Sequence, residues 1–311
     1  MFTIAFKNVL MTLFYILPGF LLGKWKKASA EHLPSLSAVL IYVCSPCMII
    51  GAYLQMEYSP RALGNMGLFF VITLVLQIAF MGLLRLILRD KFQEAKYKVL
   101  TVASVMGNVG FFGLPIVRAL FPENPEVMCY SSVYVFSMNL LVFTVGVFCL
   151  TGNRKFLSLK SLLLNPTTIS TAVAIPLFIF GVGPRLAGAG LTFITDAIGL
   201  LGGVTTPLCM IILGIRLTTV RFRSLFTRPI VWLACLAKLI LFPLFCYLAV
   251  YFLPLDTSLK ASVLVLSSVP CASVVFNLAE IHHGESELAA NCLLVSTLVC
   301  FLTIPLLALL L

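Results

Sequence analysis

One feature constrains this chain more than any other: apolar runs, each about as long as a bilayer is thick, follow one another with only short loops between them. A helix needs about 20 apolar residues to cross the hydrocarbon core. Ten runs meet that length, at 4–23, 33–54, 65–88, 97–120, 127–150, 165–182, 191–214, 229–252, 260–281 and 287–310. The loops leave no room for a soluble domain. Composition agrees, with 61% hydrophobic and 10% charged residues among 311, whereas soluble domains carry about 45–50% and about 25%. A water-soluble fold of this size could not cover that much apolar surface. The expected fold class is therefore all-α integral membrane, with ten transmembrane helices.

The net charge of +10 would suit nucleic acid if it were spread over one surface. Instead the Lys and Arg residues form short clusters between the apolar runs, the pattern of topogenic loop charge. Fifteen fall around the first, third, fifth and seventh loops, and five lie on the other side: Lys7, Arg61, Arg118, Arg185 and Lys260. The last of them, Lys238, is inside a run. This bias predicts a multi-pass protein of the cell membrane with both termini outside and no nucleic-acid partner. The ninth loop has His282, His283, Glu285 and Glu287 but no Lys or Arg, so it does not bear on the rule. The first run ends in Lys24-Trp25-Lys26-Lys27 without a small-residue cleavage site and reads as a retained span. The ten cysteines lie almost entirely within apolar runs. Cys44 and Cys47 form a CxxC without the strand-to-helix setting of a redox motif, and they read as packing residues.

The chain resembles itself at a displacement near half its length. Ser45-Pro46-Cys47-Met48-Ile49-Ile50 is similar to Thr206-Pro207-Leu208-Cys209-Met210-Ile211, 161 residues on. Lys98 and Lys260 open the fourth and ninth spans at a shift of 162, and Pro18 and Pro176 differ by 158. The third and eighth spans, and the fifth and tenth, show no comparable match. The matches rest on Pro and Lys, which argues against chance similarity between apolar segments. Two repeats follow, 1–155 and 156–311. Each holds five spans, and because five is odd the second enters the membrane from the opposite side, as in many secondary transporters.

Two spans cannot be continuous helices. The fourth contains Gly107-Asn108-Val109-Gly110-Phe111-Phe112-Gly113-Leu114-Pro115, and the ninth contains Ser267-Ser268-Val269-Pro270 with Asn277 beyond it. Glycine and proline are poor in a helix interior, and each proline removes one backbone donor. At a shift of 162, Asn108 maps onto Pro270 and Pro115 onto Asn277, so each half carries one Asn and one Pro in opposite order. Freed backbone groups survive in a membrane only around protein or a wet cavity. Half-helix N-termini suit anionic groups, and an Asn amide can satisfy either backbone or ligand. The candidate substrate-binding residues are Gly107, Asn108, Gly110, Pro115, Ser268, Pro270 and Asn277. A purely structural kink is the alternative.

Asn139 and Lys238 join that set. Lys238 is an intramembrane charge, which either meets a substrate carboxylate or pairs with backbone carbonyls. Asn139 and Gln77 are polar enough to bond between helices, with Asn139 the better placed to line a site. Asp196 and Glu280 are coupling-ion candidates. His282 and His283 lack the further ligands a metal site needs. There is no Walker loop, no dinucleotide fingerprint and no HExxH, so no cofactor is expected beyond an H⁺ or Na⁺ coupling ion. An intramembrane enzyme would need paired acids or a nucleophile with its base at mid-span. A membrane sensor would not need broken, repeat-related helices. A homodimer is left open as an assembly.

Asn108-Val-Gly-Phe-Phe-Gly-Leu-Pro115 resembles the fourth-span signature of the auxin efflux carrier family, relatives of the plant PIN proteins. Asn277-Leu-Ala-Glu280, His283-Gly284, Ser296-Thr297 and Ile304-Pro305 are similar to that family's ending, and Thr206-Pro207 with Leu213-Gly214 to its seventh span. The resemblance implies a ten-helix, 5 + 5 inverted fold whose interrupted fourth and ninth helices cross mid-membrane beside a scaffold domain. It also implies export or exchange of organic anions such as auxin, malate or malonate. The fifth loop is only about 14 residues long, unlike the long hydrophilic loop of the long plant members.

Overall fold

The computed structural model of the chain describes residues 3, 6–7, 10–11, 14–113, 116–117, 120–121, 124–153, 160, 163–218, 228–282 and 284–311. Among these the structure is all-helical. Twelve segments carry it: α1 (Ile16–Lys24), α2 (Leu33–Leu54), α3 (Pro60–Ile87), α4 (Ala95–Ala103), α5 (Glu126–Thr151), α6 (Pro166–Ile179), α7 (Val182–Gly188), α8 (Thr192–Leu217), α9 (Pro229–Tyr251), α10 (Thr257–Ser267), α11 (Ser273–Ile281) and α12 (Ser286–Leu307).

Several helix starts are written in the sequence as a capping residue followed by proline. Ser59 accepts from the Ala62 N–H at 3.0 Å, Asn124 from Glu126 at 3.1 Å and Asn165 from Thr167 at 3.0 Å, each followed by Pro at the first helical position. Proline costs nothing there, because that N–H has no helical partner. Hydroxyls inside the apolar helices turn back on their own backbone. Thr73, Ser104, Ser170, Thr171, Ser262 and Thr297 each donate to the carbonyl four residues earlier. This satisfies each hydroxyl donor within its own helix.

Six helices, α2, α3, α5, α8, α9 and α12 (continuing to Leu310), are long and apolar enough to cross a membrane. The pair α6 and α7, bent by 59° at Gly181, makes a seventh if taken as one span. Of the expected first span, α1 is the continuous described stretch, and the described residues 6–7, 10–11 and 14 before it are helical as well. The expected fourth and ninth spans are not single helices. α4 stops at Ala103 and helical structure resumes as a wide turn over Val109–Gly113, while the ninth divides into α10 and α11 around Ser268–Ala272. Pro270 and the glycines at 107, 110 and 113 account for where the helices stop. α10 has 11 residues, enough to reach only about halfway through the hydrocarbon core.

The helices pack as two bodies. In the first, a panel, α1 lies along α8, and α2 packs between α6 and α8. A Cβ on Gly214 would run into the Ile16 carbonyl and lie 2.7 Å from the Phe20 nitrogen, and one on Gly19 would run into the Ile211 backbone. Only glycine at both positions permits this backbone approach. The second body is a bundle in which α3 packs on α5, α5 on α10, α10 on α9, and α12 touches α4, α9 and α11. Its core holds fully buried Phe69, Phe112, Tyr130, Tyr134 and Phe242, with Phe69 stacked on Tyr130 at 4.7 Å. Exposed Leu86, Leu200 and Phe252 mark outer faces suited to lipid.

Candidate functional site

The two breaks meet. The Asn108 N–H donates to the Pro270 carbonyl at 2.7 Å, and the Ala272 N–H donates to the Met106 carbonyl at 3.0 Å. Gly107 and Cys271 face each other between these bonds in a single antiparallel bridge. Each interrupted helix thus meets part of the hydrogen-bonding demand that the other's break creates, as buried backbone requires. A further bond comes from outside the pair: the Cys271 N–H donates to Ser296 Oγ at 3.0 Å. Close approach at this point depends on Gly107, where a Cβ would lie 2.8 Å from Val269 and 3.2 Å from Lys238 Nζ.

Both downstream segments begin at this crossing. The Asn108 carbonyl accepts from Phe112 at 3.0 Å and from Gly113 at 3.2 Å, starting the wide turn, and α11 starts at Ser273. Helix starts present N–H groups and partial positive charge. The same kind of widened turn interrupts α2 at Leu40–Cys44, α5 at Val142–Gly146 and α9 at Ala237–Leu241. Such turns insert one residue and re-aim the side chains around it.

Two cavities flank the crossing, both between panel and bundle. The first has a volume of about 350 Å³ and is lined by α2 and the start of α6 on one side and by residues 107–110, α5 and α11 on the other. That volume lies in the range of small-molecule sites, about 300–1,000 Å³. Its walls are largely apolar, with Asn108, Asn139, Asn165 and Asn277 as amides and Ser131 among several hydroxyls. Ser131 Oγ is buried and has no hydrogen-bond partner among the described residues, so a ligand or water in this cavity would satisfy it. The second cavity, about 150 Å³, is lined by α2, α8, α11 and α12, with Ser37, Thr297 and Arg216 among its polar groups. Arg216 is half-buried, with its guanidinium over the Phe276 ring at 4.7 Å. Asn108, Ser273 and Asn277 line both cavities.

Of the residues singled out in the sequence, Gly107, Asn108, Gly110, Asn139 and Asn277 therefore come together around one cavity. Ser268 and Pro270 lie behind it, buried in the crossing; the Ser268 hydroxyl donates to Val265 O at 2.8 Å. Lys238 is also buried there, and its Nζ donates to the Ser267 carbonyl at 2.7 Å. Asp196 and Glu280 are exposed and line neither cavity. Pro115 and His283 fall outside the described residues. Among those residues no three His, Cys, Asp or Glu side chains converge as a metal site would need. Gln77 donates to Ser137 Oγ at 3.0 Å, a bond between α3 and α5. Sequence reading missed Arg216, Ser131 and Ser273. Arg216 falls among the loop charges when the seventh span ends at residue 214, whereas α8 continues to Leu217.

Long apolar helices in two bodies, with a polar-flecked cavity at a paired helix break between them, define a multi-pass membrane protein of the transporter class. The chain belongs to the membrane transport protein family, the auxin efflux carrier family, whose profile matches residues 4–157 and again 154–308. It is similar to an uncharacterized transporter of Methanocaldococcus jannaschii, 26% identical over 306 residues and covering 96% of each chain. A second uncharacterized transporter, from Methanothermobacter thermautotrophicus, is 26% identical over 307 residues, again covering 96% of each.

Proposed function

We propose that this protein is a secondary carrier for small organic anions that works by alternating access. In this reading it has ten membrane crossings, arranged as inverted five-span repeats over 1–155 and 156–311, and sits in the cell membrane with both termini outside. The observation that carries the proposal is the crossing itself. Two broken helices meet at mid-span, and Asn108, Ser273 and Asn277 line a cavity on either side of it. A rocking of bundle against panel would open one cavity and close the other around the same polar groups, which is the geometry alternating access needs.

An anion fits the chemistry of these walls. The segments starting at Val109 and Ser273 aim helix starts at the crossing, and Arg216 supplies a guanidinium suited to carboxylate. The apolar walls of the first cavity fit the body of a carboxylic acid such as an auxin-like compound, malate or malonate, and either H⁺ or Na⁺ is a candidate for coupling. Without a nucleotide-binding motif in the chain, a gradient is the energy source.

Uptake of labelled malate, malonate and indole-3-acetate into proteoliposomes, under imposed pH or Na⁺ gradients, tests the proposal. At least one should accumulate. Asn108→Ala should lower its uptake by about tenfold or more, the loss expected for one hydrogen bond to a charged group. If no organic anion moves, or if Asn108→Ala and Asn277→Ala leave uptake unchanged, the central-site reading is wrong.

A further inference from the structure

Lys238 is the only fully buried Lys or Arg among the described residues, at 1% exposure, and the carrier reading above gives it no task. The widened turn Ala237–Leu241 in α9 carries it to the crossing. Its Nζ donates to the Ser267 carbonyl at 2.7 Å and lies 4.9 Å from the centre of the Phe242 ring. It also sits 3.2 Å from where a Cβ on Gly107 would be, directly behind a residue of the first cavity's wall.

No carboxylate among the described residues pairs with it. Among the described residues the ion pairs are made by Arg61, Arg89, Lys96 and Arg228, and Lys238 is in none of them. An ammonium buried without a counter-charge is costly, so something else must offset it. A helix end does so: α10 terminates at Ser267, whose carbonyl Lys238 holds. A helix C-terminus carries partial negative charge on its unpaired carbonyls, and an aromatic face adds to the attraction. Carbonyl oxygens at a mid-membrane helix break are also the ligands that hold Na⁺ in ion-coupled carriers.

We propose that Lys238 is the carrier's built-in cation: its ammonium takes the place at the crossing that a diffusible Na⁺ would otherwise occupy, and its fixed charge behind Gly107 keeps the first cavity attractive to anions. It is a positioning residue that touches the end of α10 and not the substrate. Transport then needs no metal ion, because the neutralising charge is covalently part of α9. This inference rests on the carrier reading for what the charge does in transport; the charge's place at the helix break does not.

The experiment compares wild type, Lys238→Met and Lys238→Ala, in detergent and in proteoliposomes, with choline, sodium or methylammonium chloride. Wild-type uptake of whichever labelled carboxylate is carried should be the same in choline as in sodium. Lys238→Met keeps the side-chain bulk, so it should fold while losing uptake by at least about tenfold. Lys238→Ala leaves a space next to the Ser267 carbonyl. Methylammonium, and not choline, should raise its melting temperature and restore part of its uptake, while leaving wild type unmoved. The melting arm needs no transported substrate. Selective protection by methylammonium with no anion carried would refute the carrier reading and leave standing only the fixed ammonium's place at the helix break. Wild-type uptake that collapses without sodium, a Lys238→Met variant that transports like wild type, or a Lys238→Ala variant that treats methylammonium and choline alike would each overturn the proposal.

Discussion

The panel and the bundle face the same difficulty, since lipid is as apolar as the side chains and gives helices no hydrophobic reason to associate. They meet it differently. In the panel the membrane-spanning windows of α2 and α8 are only 22% and 28% buried, whereas those of α5 and α12 in the bundle are 61% buried. The panel is thin and is held where backbones touch at Gly19 and Gly214. The bundle is thick, with aromatic side chains and hydroxyls filling its interior around the crossing. A thin, glycine-locked body suits a fixed frame. A thick body that carries its own polar crossing can move as a unit.

The hardest way to break this contrast is at the panel's contact. In Gly214→Val the added side chain has backbone on its path from Ile16 to Phe20, and no rotamer change relieves that. Overpacking of this kind costs about 3 kcal/mol or more, so the variant should yield little folded protein. Gly203 lies on the same helix with nothing within 4 Å of an added Cβ. Gly203→Ala should unfold at or slightly above the wild-type temperature, since alanine is the better helix former. Melting curves of both variants in detergent check this. Equal losses at 203 and 214 would mean that glycine contact is not what holds the panel.

A smaller effect is expected where panel and bundle share the second cavity. Arg216→Gln removes the guanidinium over Phe276 but keeps length and polarity. If Arg216 receives the substrate's carboxylate, uptake should fall by about tenfold, as for a lost charged hydrogen bond, with little change in melting temperature. Arg216→Lys should recover part of the loss, because lysine restores the charge but not the planar fork. A fall in stability with unchanged transport would place Arg216 in the frame and not in the site.

These residues differ in how far the sequence exposes them. Apolar runs mark the long helices because hydrocarbon thickness sets their length. Pro270 and the glycines from 107 to 113 mark the breaks because they cannot sustain a helix, and a shift of 162 relates Asn108 to Pro270, which the structure joins by a 2.7 Å bond. The widened turns are marked less directly: Pro46 and Pro243 take the donor from the carbonyls of Tyr42 and Leu239 inside the turns over 40–44 and 237–241, and Gly146 closes the one over 142–146, but the same residues also occur in plain helix kinks and tertiary packing selects the extra residue. Lys238 is conspicuous as a charge in an apolar run, yet its partner is the carbonyl of Ser267, and a backbone acceptor has no identity in a sequence. Arg216 is hidden by a boundary, since three more residues of α8 turn a loop charge into a cavity wall. Ser131 is hidden by commonness. Only its burial without a partner sets it apart from the other serines.

The finest test of the comparison is a bond that ties one body to the other. Tyr53 in α2 and Ser132 in α5 are 2.9 Å apart through their hydroxyls, both buried. Ser132 already donates to the Cys129 carbonyl at 2.8 Å. It has one proton, so Tyr53 is the donor across the interface. Tyr53→Phe therefore removes this one hydrogen bond and leaves the ring packed at 6.2 Å from Phe178. The expected cost is about 1 kcal/mol, and a double-mutant cycle with Ser132→Ala should return a coupling of about 0.6 kcal/mol, the average for hydrogen bonds between membrane helices. If panel and bundle part during transport, this bond belongs to one arrangement only. Losing it then shifts the balance between arrangements by about fivefold for each kcal/mol. Tyr53→Phe should then change the rate of net uptake more than it changes the rate of exchange at saturating substrate on both sides. Equal effects on the two rates would mean that the bond persists throughout the cycle, and that α2 and α5 do not separate.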